Sequence, residues 1–166
     1  MHDDEPRPGA GDEAAHHAAY LDFYRRQLVD GVLALPERER RTTRLPSGWT
    51  PLELLAHVLH MEQRWFGWRF LGEEVADPAG DWAQGRIGET RWAVADGVRA
   101  EDLAARLVAV GERTGAVLRE HELTERAALP RGVDGPLDLR WTCFHVLQEY
   151  ARHAGHLDIV RELGGY

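Results

Sequence analysis

Lysine is missing from this chain: all 20 basic residues are arginine, set against 28 acidic ones, for a formal net charge of −8. A GC-rich codon bias accounts for this usage, and arginine is in addition the better carboxylate clamp. The acidic balance argues against a protein that neutralises a nucleic-acid backbone. Cysteine is nearly missing too. Cys143 alone permits no intrachain disulfide and no cysteine-rich zinc site. A lone thiol of this kind reads as a small packed hydrophobe rather than a nucleophile. No apolar run approaches the roughly 18 residues that span a bilayer, so no membrane partner is expected. The acidic opening residues lack the hydrophobic stretch of a secretory signal, and a cytoplasmic location is the expectation. No stretch alternates apolar and polar residues long enough to make a useful strand, and no internal repeat is visible.

What the chain does have is helical periodicity. Its 166 residues fit one domain. A chain of this length buries about two-thirds of its unfolded surface and needs no covalent staple. Residues 1–12 are polar, with two prolines and two glycines, and read as a loose acidic tail; 13–166 read as a single domain. Tyr20, Phe23, Tyr24, Leu28, Val32 and Leu35 recur at helical spacing, and Pro36 closes this first predicted helix. Thr50-Pro51-Leu52-Glu53 is a strong start signal for a second, running to about Leu71 and stopped by Gly72. Residues 73–98 break the pattern and carry Trp82 and Trp92 in a long connection. A third helix fits about 100–122. A fourth, capped by Asp138, runs to about Leu163 and meets Gly164-Gly165. The fold class is therefore all-α: a four-helix bundle with a long crossover connection between the second and third helices.

The fourth helix carries the chemical signal. At about 100° per residue, Trp141, Val146, Leu157, Ile159, Val160 and Leu163 form one stripe, and His145, Glu149, His153 and His156 fall inside it. Ionisable groups on an inward face need compensation, because burying one unpaired charge costs several kcal/mol. On the second helix His57 borders the inward arc, His60 faces water, and Glu62 looks inward but away from His57. His57, Glu149 and His153 should thus meet inside the bundle. Two imidazoles and a carboxylate, two of them one turn apart, suit a divalent metal with open positions. Spacing alone leaves a second reading open, a buried polar network in which Glu149 pairs with an arginine. His145 and His156 are candidates to support the ligands or move a proton. Trp65 is a candidate pocket wall, and Arg152 a candidate contact for an anionic substrate. His121, near the end of the third helix, reads as a partner of the helix dipole.

Two segments carry a family resemblance. These are S-G-W-T-P-L-E-L-L-A-H-V-L-H-M-E-Q-R-W-F at 47–66 and L-R-W-T-C-F-H-V-L-Q-E-Y-A-R-H-A-G-H-L-D-I-V-R-E at 139–162. They resemble the DinB-like metal-binding four-helix bundles over about residues 13–163. In that family one histidine of the second helix and two residues four apart on the fourth bind a divalent metal. Carried over, these are His57, Glu149 and His153. Many relatives have histidine where this chain has Glu149; the glutamate form resembles the branch of mycothiol-dependent isomerases and S-transferases.

That resemblance implies zinc as the first choice of ion, with nickel, manganese or iron as others, and a low-molecular-weight thiol such as mycothiol as cosubstrate. The expected function is a metal-dependent thiol S-transferase acting on an electrophilic small molecule. Two alternatives stand beside it: metal-assisted hydrolysis, and a non-enzymatic metal-binding stress or interaction protein. A homodimer is expected, since DinB-like proteins often pair through bundle faces and Phe144 and Leu147 lie off the inward stripe.

Overall fold

In the chain's computed structural model α1 spans Glu13–Leu33, α2 Glu37–Arg40, α3 Pro51–Glu62, α4 Ala100–Glu120 and α5 Leu139–Gly164. A π-helical stretch, Gln63–Phe70, prolongs α3. The structure describes residues 5–7, 9, 11–75, 77–82, 92–129 and 137–166, and among these there is no β-strand. The caps explain the boundaries. Asp12 accepts from the Ala15 N–H, and Asp138 from the Trp141 N–H. Thr50 and Glu53 exchange side-chain and backbone bonds in a reciprocal box, with Pro51 at the first helical position. Gly165, in the left-handed region at φ +80, ends α5. Gly72 does the same after the π-helical stretch at φ +71, and a Cβ there would fall 2.9 Å from that of Ala128.

Three details depart from the sequence reading. α1 stops at Leu33 rather than Leu35, and the Arg40 guanidinium takes up the freed carbonyls of Leu33 and Leu35. The second predicted helix is not α-helical throughout, because its last eight residues are wound as a π-helix. α4 ends at Glu120, where His121 is already extended and pairs with Glu125 at 2.9 Å.

Contacts between helices give the topology. Arg140 at the start of α5 bonds Glu13 at the start of α1, and Leu157 packs on Gly31 near both ends, so α1 and α5 run parallel. α3 runs antiparallel to α5, since His57 meets His153 and Trp65 meets His145. Glu62 meets Thr114 and Phe70 meets His121, so α3 and α4 run parallel. Parallel neighbours need a connection that returns the length of the bundle, which residues 71–99 supply. The expected crossover is present, and the fold is an all-α bundle.

The rotation of α5 differs from expectation. Leu139, Thr142, Cys143, Val146, Tyr150, His153, Ala154, Leu157 and Val160 are buried, whereas Ile159 and Leu163 are 48% and 58% exposed. With His145 at zero, the buried arc lies at about 60–180° instead of 320–120°. Close packing against α1 draws in the side that carries Ala154 and Leu157. Glu149 and His156 are thereby left at the edge of the arc, half-buried, while His153 stays fully inside.

Glu62 is fully buried in the bundle, at 0% exposure. Its carboxylate accepts two bonds from Arg25 of α1, at 3.1 and 2.7 Å. It also accepts from Thr114 of α4 at 2.6 Å and from Tyr150 of α5. One carboxylate thus ties all four long helices together. Gly111 is required for this arrangement, because a Cβ there would lie 2.4 Å from the Arg25 Cζ, and Arg25 is held in place by Glu62. Ordinarily a mid-helix Gly→Ala change stabilises by about 0.5–1 kcal/mol. For Gly111→Ala the clash outweighs that gain, and a net loss of about 1–3 kcal/mol is expected in chemical denaturation. Gly155→Ala on α5, with nothing within 4 Å, should give the opposite sign.

Candidate metal centre

His57 reaches the interior from α3, about two turns after the Thr50 cap, and is 6% exposed. His153 reaches it from α5 and is 4% exposed. Glu149 lies one turn earlier on α5, its side chain 17% exposed. Antiparallel packing of α3 on α5 sets the two imidazoles edge to face, with ring centroids 4.9 Å apart. One ligand atom from each of His57, Glu149 and His153 lies within 4.8 Å of the other two. The structure therefore brings together the three residues singled out by spacing, as a group that could hold a metal ion.

The donor set fits a cation. The Nε2 of His153 lies 3.2 Å from Glu149 Oε2, yet neither ring nitrogen of His153 makes a hydrogen bond, and both are buried. A buried nitrogen without a partner costs about 1–3 kcal/mol, and coordination to a cation would relieve it. Charge states agree. The His153 imidazole holds the Glu149 carboxyl down at about 2, so it is ionised at neutral pH. Burial lowers the His57 pKa despite the neighbouring Asp81, which keeps the ring neutral and its lone pair available. The buried-pair alternative fares worse. The arginine near Glu149 is Arg152, 4.0 Å away and 54% exposed. The fully buried carboxylates paired with arginine among the described residues are Glu62, with Arg25, and Asp81, with Arg64; neither pairing uses Glu149.

Asp81 completes the geometry. Its Oδ2 accepts from His57 Nδ1 at 2.7 Å, and Arg64 binds its Oδ1. Burial pushes the Asp81 carboxyl up, but the bonds from His57 and Arg64 outweigh burial and lower it, leaving a carboxylate. An anionic acceptor at Nδ1 places the proton there and leaves Nε2 as the lone-pair donor. Trp92 stacks flat on the other side of His57, at 4.0 Å and 11°. Replacing Asp81 with asparagine should weaken zinc binding about 10- to 100-fold, because carboxylates behind a ligating histidine act on that scale. Competition against a metallochromic chelator measures it. An unchanged affinity would detach Asp81 from the centre.

A cavity of about 380 Å³ opens beside the trio. Trp65, Trp82 and Trp92 line it, with Arg64, Arg69 and Arg152. His145 is on its wall, between Trp65 at 4.2 Å and Trp141, which stacks on it at 4.9 Å and 8°. His156 lies behind His153, with centroids 5.6 Å apart, against Trp49 rather than in the cavity. His60, expected to face water, is instead half-buried with its ring under Gly80.

Asp81, Arg64, Trp82 and Trp92 were not assigned from the sequence. Asp81 lies 24 residues from its histidine, in a connection that also carries Glu73, Glu74 and Asp77. No spacing rule distinguishes these acids. Two tryptophans in a polar connection were the one visible signal, and the structure bridges them to each other beside His57.

A family model described as Mycothiol-S-transferase matches residues 16–164 of the chain. No curated protein matches it. The matched span contains α3, α4 and α5, all but the first three residues of α1, and every residue of the trio.

Proposed function

Because the chain belongs to the mycothiol-S-transferase family, we propose that it joins the sulfur of a low-molecular-weight thiol, mycothiol first, to an electrophilic small molecule at a divalent ion held by His57, Glu149 and His153. The observation that carries this reading is His153, whose buried nitrogens lack partners beside an ionised carboxylate and a second neutral imidazole. Zinc is the proposed ion: it takes two histidines and a carboxylate and keeps a position open. Bound there, the ion would hold the thiol as its thiolate at neutral pH.

The protein's residues would do the rest. Asp81 keeps His57 in one tautomer, and Arg64 keeps Asp81 charged. The tryptophan walls would limit the water that reaches the electrophile, favouring thiolysis over hydrolysis. His145, held between two indoles on the cavity wall, would accept the thiol proton. A sulfur–carbon bond forms, and the displaced group leaves with the bonding pair. The homodimer remains part of the proposal. Phe144 on α5 is 56% exposed and would be covered in such a pair.

The test is turnover of a fluorogenic haloalkyl probe by zinc-loaded protein, with mycothiol and without thiol. Product that requires both mycothiol and metal supports the transferase. Activity indifferent to chelation overturns the metal requirement. Ester turnover without thiol would point to hydrolysis.

A further inference from the structure

We infer that His156 is a positioning residue of the metal centre: its Nδ1 accepts the Nδ1 proton of His153 and so frees Nε2 of His153 for the ion. The inference rests on the metal centre of the proposed function and adds a residue to it beyond the trio and Asp81.

Unpaired nitrogens are the first observation. His153 has two buried ring nitrogens without a hydrogen bond, and His156 has a third at Nδ1. The two rings are neighbours, with centroids 5.6 Å apart and planes at 58°. His156 follows His153 by three residues on α5, and His153 follows Glu149 by four, so the three stand one above the next on one face. A buried nitrogen without a partner is costly on either ring. A neutral imidazole has one N–H and one lone pair, so the two Nδ1 atoms are complementary when one donates and the other accepts.

Tautomers decide the direction. Nε2 of His153 lies 3.2 Å from Glu149 Oε2. A proton on that nitrogen is drawn to the carboxylate and occupies the ligand position. With Nε2 freed for a cation, the neutral ring carries its proton on Nδ1, and a ligating histidine holds that proton on an acceptor. For His57 the acceptor is Asp81. For His153 it is the unpaired Nδ1 of His156, reached by a swing of either ring or through one bridging water. The surrounding rings fit this assignment. His156 packs against Trp49 at 6.1 Å, Trp49 meets Trp92 at 5.9 Å, and Trp92 meets His153 at 5.2 Å. Indole nitrogens donate and do not accept, so these walls give the His153 proton no competing partner.

Zinc affinity of the full chain, measured by chelator competition, tests this with two variants. His156→Phe keeps a ring against Trp49 and removes the acceptor. Its zinc affinity should fall about 10-fold, the scale set by partners behind a ligating histidine. His156→Gln supplies a carbonyl acceptor and should recover most of that loss. In chelator, His156→Phe should unfold at the same temperature as the parent, because the bond forms only when Nε2 is occupied. Nitrogen NMR of zinc-loaded, histidine-labelled protein gives a second readout. The Nδ1 proton of His153 should exchange slowly with water in the parent and fast in His156→Phe. Unchanged zinc affinity in His156→Phe, destabilisation of equal size in zinc and in chelator, or a His156→Gln that binds zinc no better than His156→Phe would overturn the inference and leave the trio intact. A parent protein that binds no zinc would overturn both. The expected affinities without thiol turnover would support the inference and remove the transferase reading alone.

Discussion

Glu62→Gln is expected to destabilise the protein by about 3–5 kcal/mol, the largest effect of any single conservative change in this bundle. Donors from Arg25, Thr114 and Tyr150 converge on the two carboxylate oxygens. An amide offers one acceptor and turns two N–H donors toward groups that also donate. It also leaves the Arg25 guanidinium, 5% exposed, without a counter-charge. Thermal unfolding should fall by something on the order of 10 °C for a chain of this size. The loss should be the same with and without chelator, because no ligand of the candidate metal centre belongs to this network. Replacing both partners, as in Arg25→Met with Glu62→Leu, should recover most of the loss, since an apolar pair of similar volume leaves no charge uncompensated. A loss below about 1 kcal/mol for Glu62→Gln would show that water reaches the pair and that it does not hold the helices together.

His153→Ala should strip the protein of most of its metal. One of three candidate protein ligands disappears, and its buried ring nitrogens have no competing hydrogen bond. The fall in zinc affinity should therefore exceed the 10- to 100-fold typical of residues behind the ligands. His57→Ala should behave alike. His60→Ala should keep its metal, because His60 lies outside the trio although it shares a helix with His57. Metal analysis after gel filtration reads all three variants side by side. Equal metal content in His153→Ala and His60→Ala would remove the centre and the proposed transferase with it. Glu149→Gln refines the picture: its zinc affinity should drop while its stability in chelator stays near that of the parent protein. Destabilisation of equal size in metal and in chelator would make Glu149 a packing residue.

These two predictions concern carboxylates and histidines that sequence reasoning treated unequally well. Glu149 and His153 are separated by one helical turn, so their shared face follows from helix geometry alone. Glu62 could be placed on an inward-looking face, but its three partners come from three other helices. Nothing in local sequence separates Arg25 from the surface arginines around it. Arg64 differs again. It lies in the π-helical stretch and is buried on Asp81, an acid 17 residues further on that helical spacing cannot pair with it.

The sequence by itself determined what depends on neighbours within a few residues. Asp12, Thr50 with Glu53, and Asp138 set the starts of α1, α3 and α5, while Gly72 and Gly165 set stops, because caps are satisfied by backbone groups one turn away. It also determined that His57, Glu149 and His153 share an inward side, and the all-α architecture with its long crossover. Tertiary structure decided the rest. How far α5 is rotated, with Ile159 and Leu163 outside and Glu149 at the edge, depends on how closely α1 packs against it. The bond of His57 to Asp81, the stacking of Trp92 on His57, and the bonds of three other helices to Glu62 join residues far apart in the chain. Such contacts are selected by the burial of whole surfaces, which no local pattern encodes.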